Sequence, residues 1–166
     1  KGSAFAIREE QQIELDMSGG GGSRNLFIGC APAPDDSDAA SRWKTFDLAH
    51  GLPRLAQSQR EHWTPQQLSL DRLKAFSVKK GCYPGQEIVA RTHFLGQVKR
   101  GLALFAIESP LDTGTDVLSG ERAIGSIVSA SDGLALAVLP LEHDAAGLSA
   151  GGVALHPRPL QAGLQR

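Results

Sequence analysis

The residue types with most chemical potential are gathered around one cysteine. Cys82 follows Gly81 and precedes Tyr83-Pro84-Gly85, with Lys79 and Lys80 before it and Gln86, Glu87 and Arg91 after it. Glycine permits positive φ and proline presets φ, so residues 81–85 read as a tight turn with Cys82 on an accessible bend. A thiol near cationic groups can have a lowered pKa, and the thiolate is the nucleophile. Lys79, Lys80 and Arg91 are the candidate sources of that field. The alternative is a free cysteine acting as a small buried hydrophobe. Gln86 and Glu87 could orient a ligand through paired donors and acceptors, or could bond exposed turn backbone. Arg91 can grip a carboxylate with both arms of its guanidinium. That carboxylate could belong to a ligand or to Glu87, four positions earlier.

Other candidates are more scattered. His93 has the neutral-range chemistry of a general base or metal ligand, but no Cys/His spacing around it matches a metal site, and no metal is expected. His50, His62, His143 and His156 read as solvated. Lys99-Arg100 reads as a solvated strand end that could attract an anion. Trp43 and Trp63 read as core or hinge packing, or as stacking surfaces for a flat ring. Cys30 is the only other cysteine, too few for a disulfide framework or a four-cysteine zinc site.

The chain has 166 residues, enough for one core or two small lobes. Net charge is −1 and hydrophobic residues make up 41%. This balance gives no global reason to bind nucleic acid or a membrane surface. No apolar run approaches the roughly 20 residues of a membrane helix. No secretory signal is read at Lys1, so the expected compartment is the cytoplasm, where a Cys30–Cys82 disulfide is disfavoured.

The elements that must position these residues follow from pattern. Residues 4–7, 12–15 and 26–28 read as short strands. The glycine run within 18–23 reads as a flexible hairpin loop, since a phosphate cradle needs a strand-turn-helix context that is missing. Asp38 is the expected N-cap of a helix over 39–48, closed by Gly51. Ser69 or Asp71 starts another short helical piece through Phe76. After Gly96 the texture becomes strands and glycine turns: 102–105, 123–128, a hairpin turn at Ser131-Asp132-Gly133, 134–139 and 153–156. Strands with helices suggest an α+β lobe, and the short strands after it suggest a small antiparallel β-barrel.

The run Lys80-Gly81-Cys82-Tyr83, one variable residue, then Gly85-Gln86-Glu87 resembles the signature of the YgfZ group of folate-binding proteins. That group is similar to the T protein (aminomethyltransferase) of the glycine cleavage system. The resemblance extends through Trp43, Asp47-Leu48, Gly51 and Pro53, then Pro65-Gln66 and Leu68-Ser69-Leu70-Asp71. It continues through Arg91-Thr92-His93, Gly96 and Lys99-Arg100, so it is strongest over residues 43–105. It implies a ferredoxin-like, partial T-protein-like folate-binding α+β lobe at 1–95 and a C-terminal β-barrel at 96–166. It also implies a role in assembling or repairing iron–sulfur proteins and, through them, in tRNA modification. By the same resemblance tetrahydrofolate is the cofactor, Cys82 is the catalytic thiol, and Lys80, Gln86, Glu87 and Arg91 bind the ligand. Partners would be iron–sulfur proteins or their assembly factors, with no direct nucleic acid or membrane contact. The resembled proteins are longer and begin with a segment that has no counterpart here, so the chain is expected to be the C-terminal part of a larger protein.

One position departs from the transferases. Their segment like Phe46-Asp47-Leu48-Ala49-His50-Gly51 carries a glutamate that holds the pterin, and Ala49 stands in its place. Alanine cannot accept the pterin N–H bonds, which argues against aminomethyl transfer; Asp47 or His50 are the residues that could compensate. The alternatives to the iron–sulfur reading are an aminomethyltransferase and a non-enzymatic module that docks a partner through the Cys82 turn.

Overall fold

The computed structural model describes residues 5–8, 12–30, 32, 34–78, 84–96 and 98–164. The three N-terminal strands form an antiparallel meander: β1 (Phe5–Arg8), β2 (Gln12–Asp16) and β3 (Asn25–Ile28), in that order. Ile13 pairs with Ile28 and Leu15 with Leu26, so the alternating apolar residues fall opposite one another. The β2–β3 connection is the glycine run. Gly19 and Gly22 exchange both N–H···O bonds at 3.1 Å. A Cβ on Gly19 would lie 2.9 Å from His50 Nε2, and one on Gly20 would collide with the Ala162 carbonyl oxygen. The hairpin is therefore a closely packed turn and not the flexible loop its composition suggests, and Gly19, Gly20 and Gly21 are required by contact with two distant segments.

Helix α1 spans Ser37–Ala49. Its N-cap is Asp36, whose carboxylate accepts the Ala39 N–H at 2.8 Å. The expected cap, Asp38, lies instead in the first turn, where its charge still complements the positive helix end. The Gly51 N–H returns to the Leu48 carbonyl, and its φ of +67° gives the left-handed exit that glycine tolerates. Two 3-10 turns follow, Gln57–Gln59 and Leu70–Leu73. Helix α2, Gln86–Leu95, follows Gly85 and has no counterpart in the sequence reading.

The rest is a seven-stranded antiparallel sheet: β4 (Arg100–Ala106), β5 (Asp116–Ser119), β6 (Arg122–Ser131), β7 (Leu134–Pro140), β8 (Leu148–Ala150), β9 (Val153–Ala154) and β10 (His156–Arg158). Its order is β10-β4-β7-β6-β5-β8-β9. The two edge strands are consecutive in the chain, so the sheet curls into a nearly closed barrel, which limits its exposed edges. The β6–β7 turn is the expected hairpin: Asp132 and Gly133 take φ of 41° and 77°, the two positive values of a type I′ turn. The expected strand at 153–156 is broken at Leu155. That residue is buried and donates its N–H to Leu148, dividing β9 from β10.

Strand β7 is buried along its length, Ala135 to Leu139 having at most 1% exposure, because both of its faces are covered. One face joins Phe105, Val117, Ile127 and Leu148 inside the barrel. On the other, Leu136 and Val138 pack with Leu102, Leu104 and Val128 against Leu48 and Leu68. Helix α1 thus lies on the barrel wall, with its Leu48 in the core that covers the barrel exterior. Among the described residues the part before β4 has a β1-β2-β3 meander, α1, α2 and the 3-10 turns. The βαββαβ order of a ferredoxin-like lobe is not found among them.

Candidate functional site

Lys79, Lys80, Gly81, Cys82 and Tyr83 lie outside the described residues, so the structural account of the cysteine signature begins at Pro84. Gly85, with φ of +83°, is the N-cap of α2, a left-handed entry that glycine allows without strain. The helix therefore starts only a few residues after the cysteine, and its N-terminal end carries the positive pole of the helix dipole. Glu87 lies in that first turn. Glu87 and Arg91 are exposed on α2, and Gln86 is half-buried. Ile88 and Phe94 are also exposed, at 61% and 69%.

The inward residue of α2 is Val89, 6% exposed. Its carbonyl accepts a hydrogen bond from Gln66 Nε2 at 2.8 Å. A carbonyl only accepts, so this bond fixes the orientation of the Gln66 amide. Gln66 is itself 6% exposed, and its Oε1 has no hydrogen-bond partner among the described residues.

Two cavities flank this arrangement. A groove of about 390 Å³ is lined by Trp63, Pro65, Phe76, Pro84, Gly85 and Ile88. A larger cavity of about 490 Å³ is lined by Gln66, Ser69, Lys74, Phe76, His93 and Arg100. Phe76 borders both. Trp63 packs against the Leu48–Leu68 cluster, and its Nε1 is buried without a partner among the described residues. Arg100 is not merely a solvated strand end: its Nη1 donates to the Ile124 carbonyl at 2.9 Å, which holds the guanidinium against the barrel. Lys99 is exposed. Nothing in the sequence marks Lys74 or Phe76 as site residues; Gln66 and Ser69 enter only through the family resemblance.

The 46–51 segment presents no ligand-binding face. Asp47 is 3% exposed. Its Oδ1 pairs with Arg24 Nη1 at 2.6 Å and its Oδ2 with Arg54 Nη2 at 3.1 Å. The Arg24 guanidinium lies 4.1 Å from the Trp43 ring centroid and 4.0 Å from that of Phe46, so Trp43 is a cation–π surface for a structural arginine. His50, expected to be solvated, is fully buried. Its ring stacks on Phe46, its Nδ1 donates to the Phe46 carbonyl at 2.8 Å, and the glycine turn covers Nε2. Neither Asp47 nor His50 is therefore free to replace the missing glutamate at Ala49.

Arg72 ties this region to the C-terminal segment by donating to the carbonyls of His50 and Gln161. Burial lowers the pKa of its guanidinium, with partial compensation by the charge of Asp71. His62 and His156 are exposed, whereas His143 is half-buried with Nδ1 on the Pro140 carbonyl. Among the described residues no cluster of three or more His, Cys, Asp or Glu could hold a metal, and no helix is long and apolar enough to cross a membrane.

Comparison with known proteins adds the family context. Residues 99–162, which run from the start of β4 past β10, match the family described as CAF17, C-terminal beta-barrel domain. The chain is 42% identical over 72 residues to the tRNA-modifying protein YgfZ of Colwellia psychrerythraea, covering 43% of this chain and 22% of that protein. It is 39% identical over 113 residues to the tRNA-modifying protein YgfZ of Aliivibrio fischeri strain MJ11, covering 61% of this chain and 36% of that protein. An uncharacterized protein of Haemophilus influenzae is 38% identical over 68 residues, 24% of its length. The chain thus spans well under half the length of these relatives.

Proposed function

From a chain that is YgfZ-like in its C-terminal part and carries a CAF17-type barrel at 99–162, we propose a folate-dependent protein that assists assembly or repair of iron–sulfur proteins. Its effect on tRNA modification is indirect, through those clients. Cys82 is the reactive thiol, and Lys80, Gln86, Glu87 and Arg91 tune it and bind the ligand. The observation that supports this reading best is local. The residues that follow the cysteine, Pro84 and Gly85, both line the 390 Å³ groove and open α2. The positive end of α2 begins at Gly85, three positions after Cys82 in the sequence, and a positive field favours a thiolate.

The fit to tetrahydrofolate divides by segment. The 46–51 segment does not fit a pterin anchor, since Asp47 is paired twice and His50 is enclosed. The groove beside α2 does fit a flat ring: Trp63, Phe76 and Pro84 give apolar walls, and Trp63 Nε1 is a buried donor without an acceptor. Arg91 would take the carboxylate tail. When bound, tetrahydrofolate supplies a pteridine able to carry one-carbon units. The chain's own residues supply the groove, the charge partner and the thiol.

The test is the thiol pKa of Cys82, read from the pH dependence of alkylation in a Cys30→Ala background with and without tetrahydrofolate. We expect a value well below the roughly 8.5 of a free thiol, moved by the folate. An ordinary thiol indifferent to folate defeats the proposal. A second reading, a module that docks a partner without chemistry, is favoured by the exposed Ile88 and Phe94 on α2. Full function in Cys82→Ser would select it, because serine keeps the shape and removes the thiol. Aminomethyl transfer is disfavoured by Ala49, and a glycine-cleavage assay with the carrier proteins would expose it.

A further inference from the structure

The 490 Å³ cavity between the 66–78 segment, α2 and the start of the barrel shares Phe76 with the groove assigned to the folate, but is lined by none of Lys80, Cys82, Gln86, Glu87 and Arg91. Its volume is within the range of small-molecule sites. Two of its lining residues, Ser69 and Lys74, bracket the Leu70–Leu73 turn and both take left-handed backbone, with φ of 50° and 54°. Non-glycine residues seldom adopt that conformation, and such strain concentrates where ligands bind. Ser69 is held there by a bond from the Leu102 N–H to its Oγ at 3.0 Å. Lys74 and Arg100 contribute positive charge, with Arg100 oriented by its bond to Ile124. Phe76 offers an aromatic wall, and Val98 and Leu141 extend the apolar lining. Gln66 brings an acceptor, Oε1, that no group among the described residues satisfies. A buried polar atom left unpaired is costly, so a ligand that supplies an N–H gains there.

The geometry points to a nucleoside monophosphate as the occupant. The phosphate is met by charge-assisted bonds from Lys74 and Arg100, with His93 at the same cavity as a further donor. The base lies against Phe76, since every base has a face that stacks on an aromatic ring. A base N–H donates to Gln66 Oε1, an atom occluded enough that a small shift of the cavity wall accompanies binding. Asp71 also borders the cavity; its carboxylate repels the phosphate and accepts from the ribose hydroxyls. A net charge of −1 gives no long-range attraction to a polyanion, so the free nucleotide is favoured over an RNA chain as the source.

Calorimetric titration of the full chain with adenosine 5′-monophosphate, adenosine and inorganic phosphate tests this. Adenosine monophosphate should bind at least about tenfold more tightly than adenosine, about the contribution of one charge-assisted contact. Lys74→Gln should weaken it by about the same factor, whereas Lys44→Gln, at a separate pocket beside Arg54 and Ser129, should leave it unchanged. Phe76→Leu should weaken adenosine monophosphate and leave inorganic phosphate unaffected. If Phe76→Leu does not fold, the exposed Lys74 carries the test alone. A 5′-phosphorylated RNA trinucleotide that binds no better than the mononucleotide identifies the free nucleotide; much tighter binding identifies an RNA end with the same chemistry. No binding of adenosine monophosphate at millimolar concentration, equal affinity for adenosine, or indifference to Lys74→Gln overturns the inference. Competitive displacement by tetrahydrofolate also overturns it, by giving the cavity to the folate. Cys82 alkylation is read separately, so failure here and failure of the thiol proposal remain distinguishable.

Discussion

Removing the Asp47 carboxylate is the perturbation whose size the structure defines best. Arg24 and Asp47 have side-chain exposures of 10% and 4% and are 2.6 Å apart. Arg54 shares the carboxylate at 3.1 Å but is 54% exposed. Breaking a buried pair by deleting one partner costs about 3–5 kcal/mol, because the other charge is left buried and unpaired. Two interactions soften the loss: Arg24 keeps its cation–π contacts with Trp43 and Phe46, and its Nε still donates to the Met17 carbonyl. Asp47→Ala should therefore destabilise by about 3 kcal/mol, the low end of that range. The exposed arm is worth little, so Arg54→Ala should cost no more than about 1 kcal/mol. Replacing the pair together, as Arg24→Met with Asp47→Leu, should recover much of the loss, since no charge is then stranded. The assay is equilibrium urea unfolding with the m-value checked for constancy. Asp47→Ala within about 1 kcal/mol of the parent, or Arg54→Ala costing as much as Asp47→Ala, would refute the assignment. If Asp47 held a pterin, Asp47→Asn would reduce folate affinity and spare stability; the paired, buried carboxylate requires the opposite pattern.

Three further outcomes follow from the packing. Gly125→Ala should destabilise the barrel by about 1–3 kcal/mol, because its Cβ would collide with the Val138 carbonyl oxygen on the neighbouring strand; the thermal midpoint reads this directly. Leu136→Ala, in the fully buried centre of β7, should cost about 2–5 kcal/mol in urea unfolding, from lost transfer energy and the cavity left behind. Asp36→Ala should cost about 1 kcal/mol by removing the α1 cap. Asp38→Ala should cost less, and the reverse ranking in denaturant melts would return the cap to Asp38.

What the sequence determined by itself is the structure written in local conformational preference. The apolar strand at 134–139, the Ser131-Asp132-Gly133 hairpin and the exit at Gly51 depend on a short apolar run and on φ, and each is present as read. The barrel and the resemblance to the YgfZ group were likewise legible, since strand-and-turn texture and a dense signature lie in contiguous residues. The cap of α1 was misplaced by two residues because Asp36 and Asp38 offer the same oxygen, and only the backbone path decides which reaches Ala39.

Tertiary structure alone decided the rest. His50 is buried because the glycine turn, itself packed against the distant 161–164 segment, closes over it. Asp47 is structural because Arg24 arrives from the hairpin and Arg54 from the segment after α1. Gln66 became part of a cavity wall only when α2 placed the Val89 carbonyl on its amide and the barrel brought Arg100 to the same opening. Whether a polar group is solvated, paired or left with an unmet hydrogen bond depends on which distant segments exclude water from it. Local preference carries no record of that exclusion, since it arises when α1, α2 and the barrel pack together.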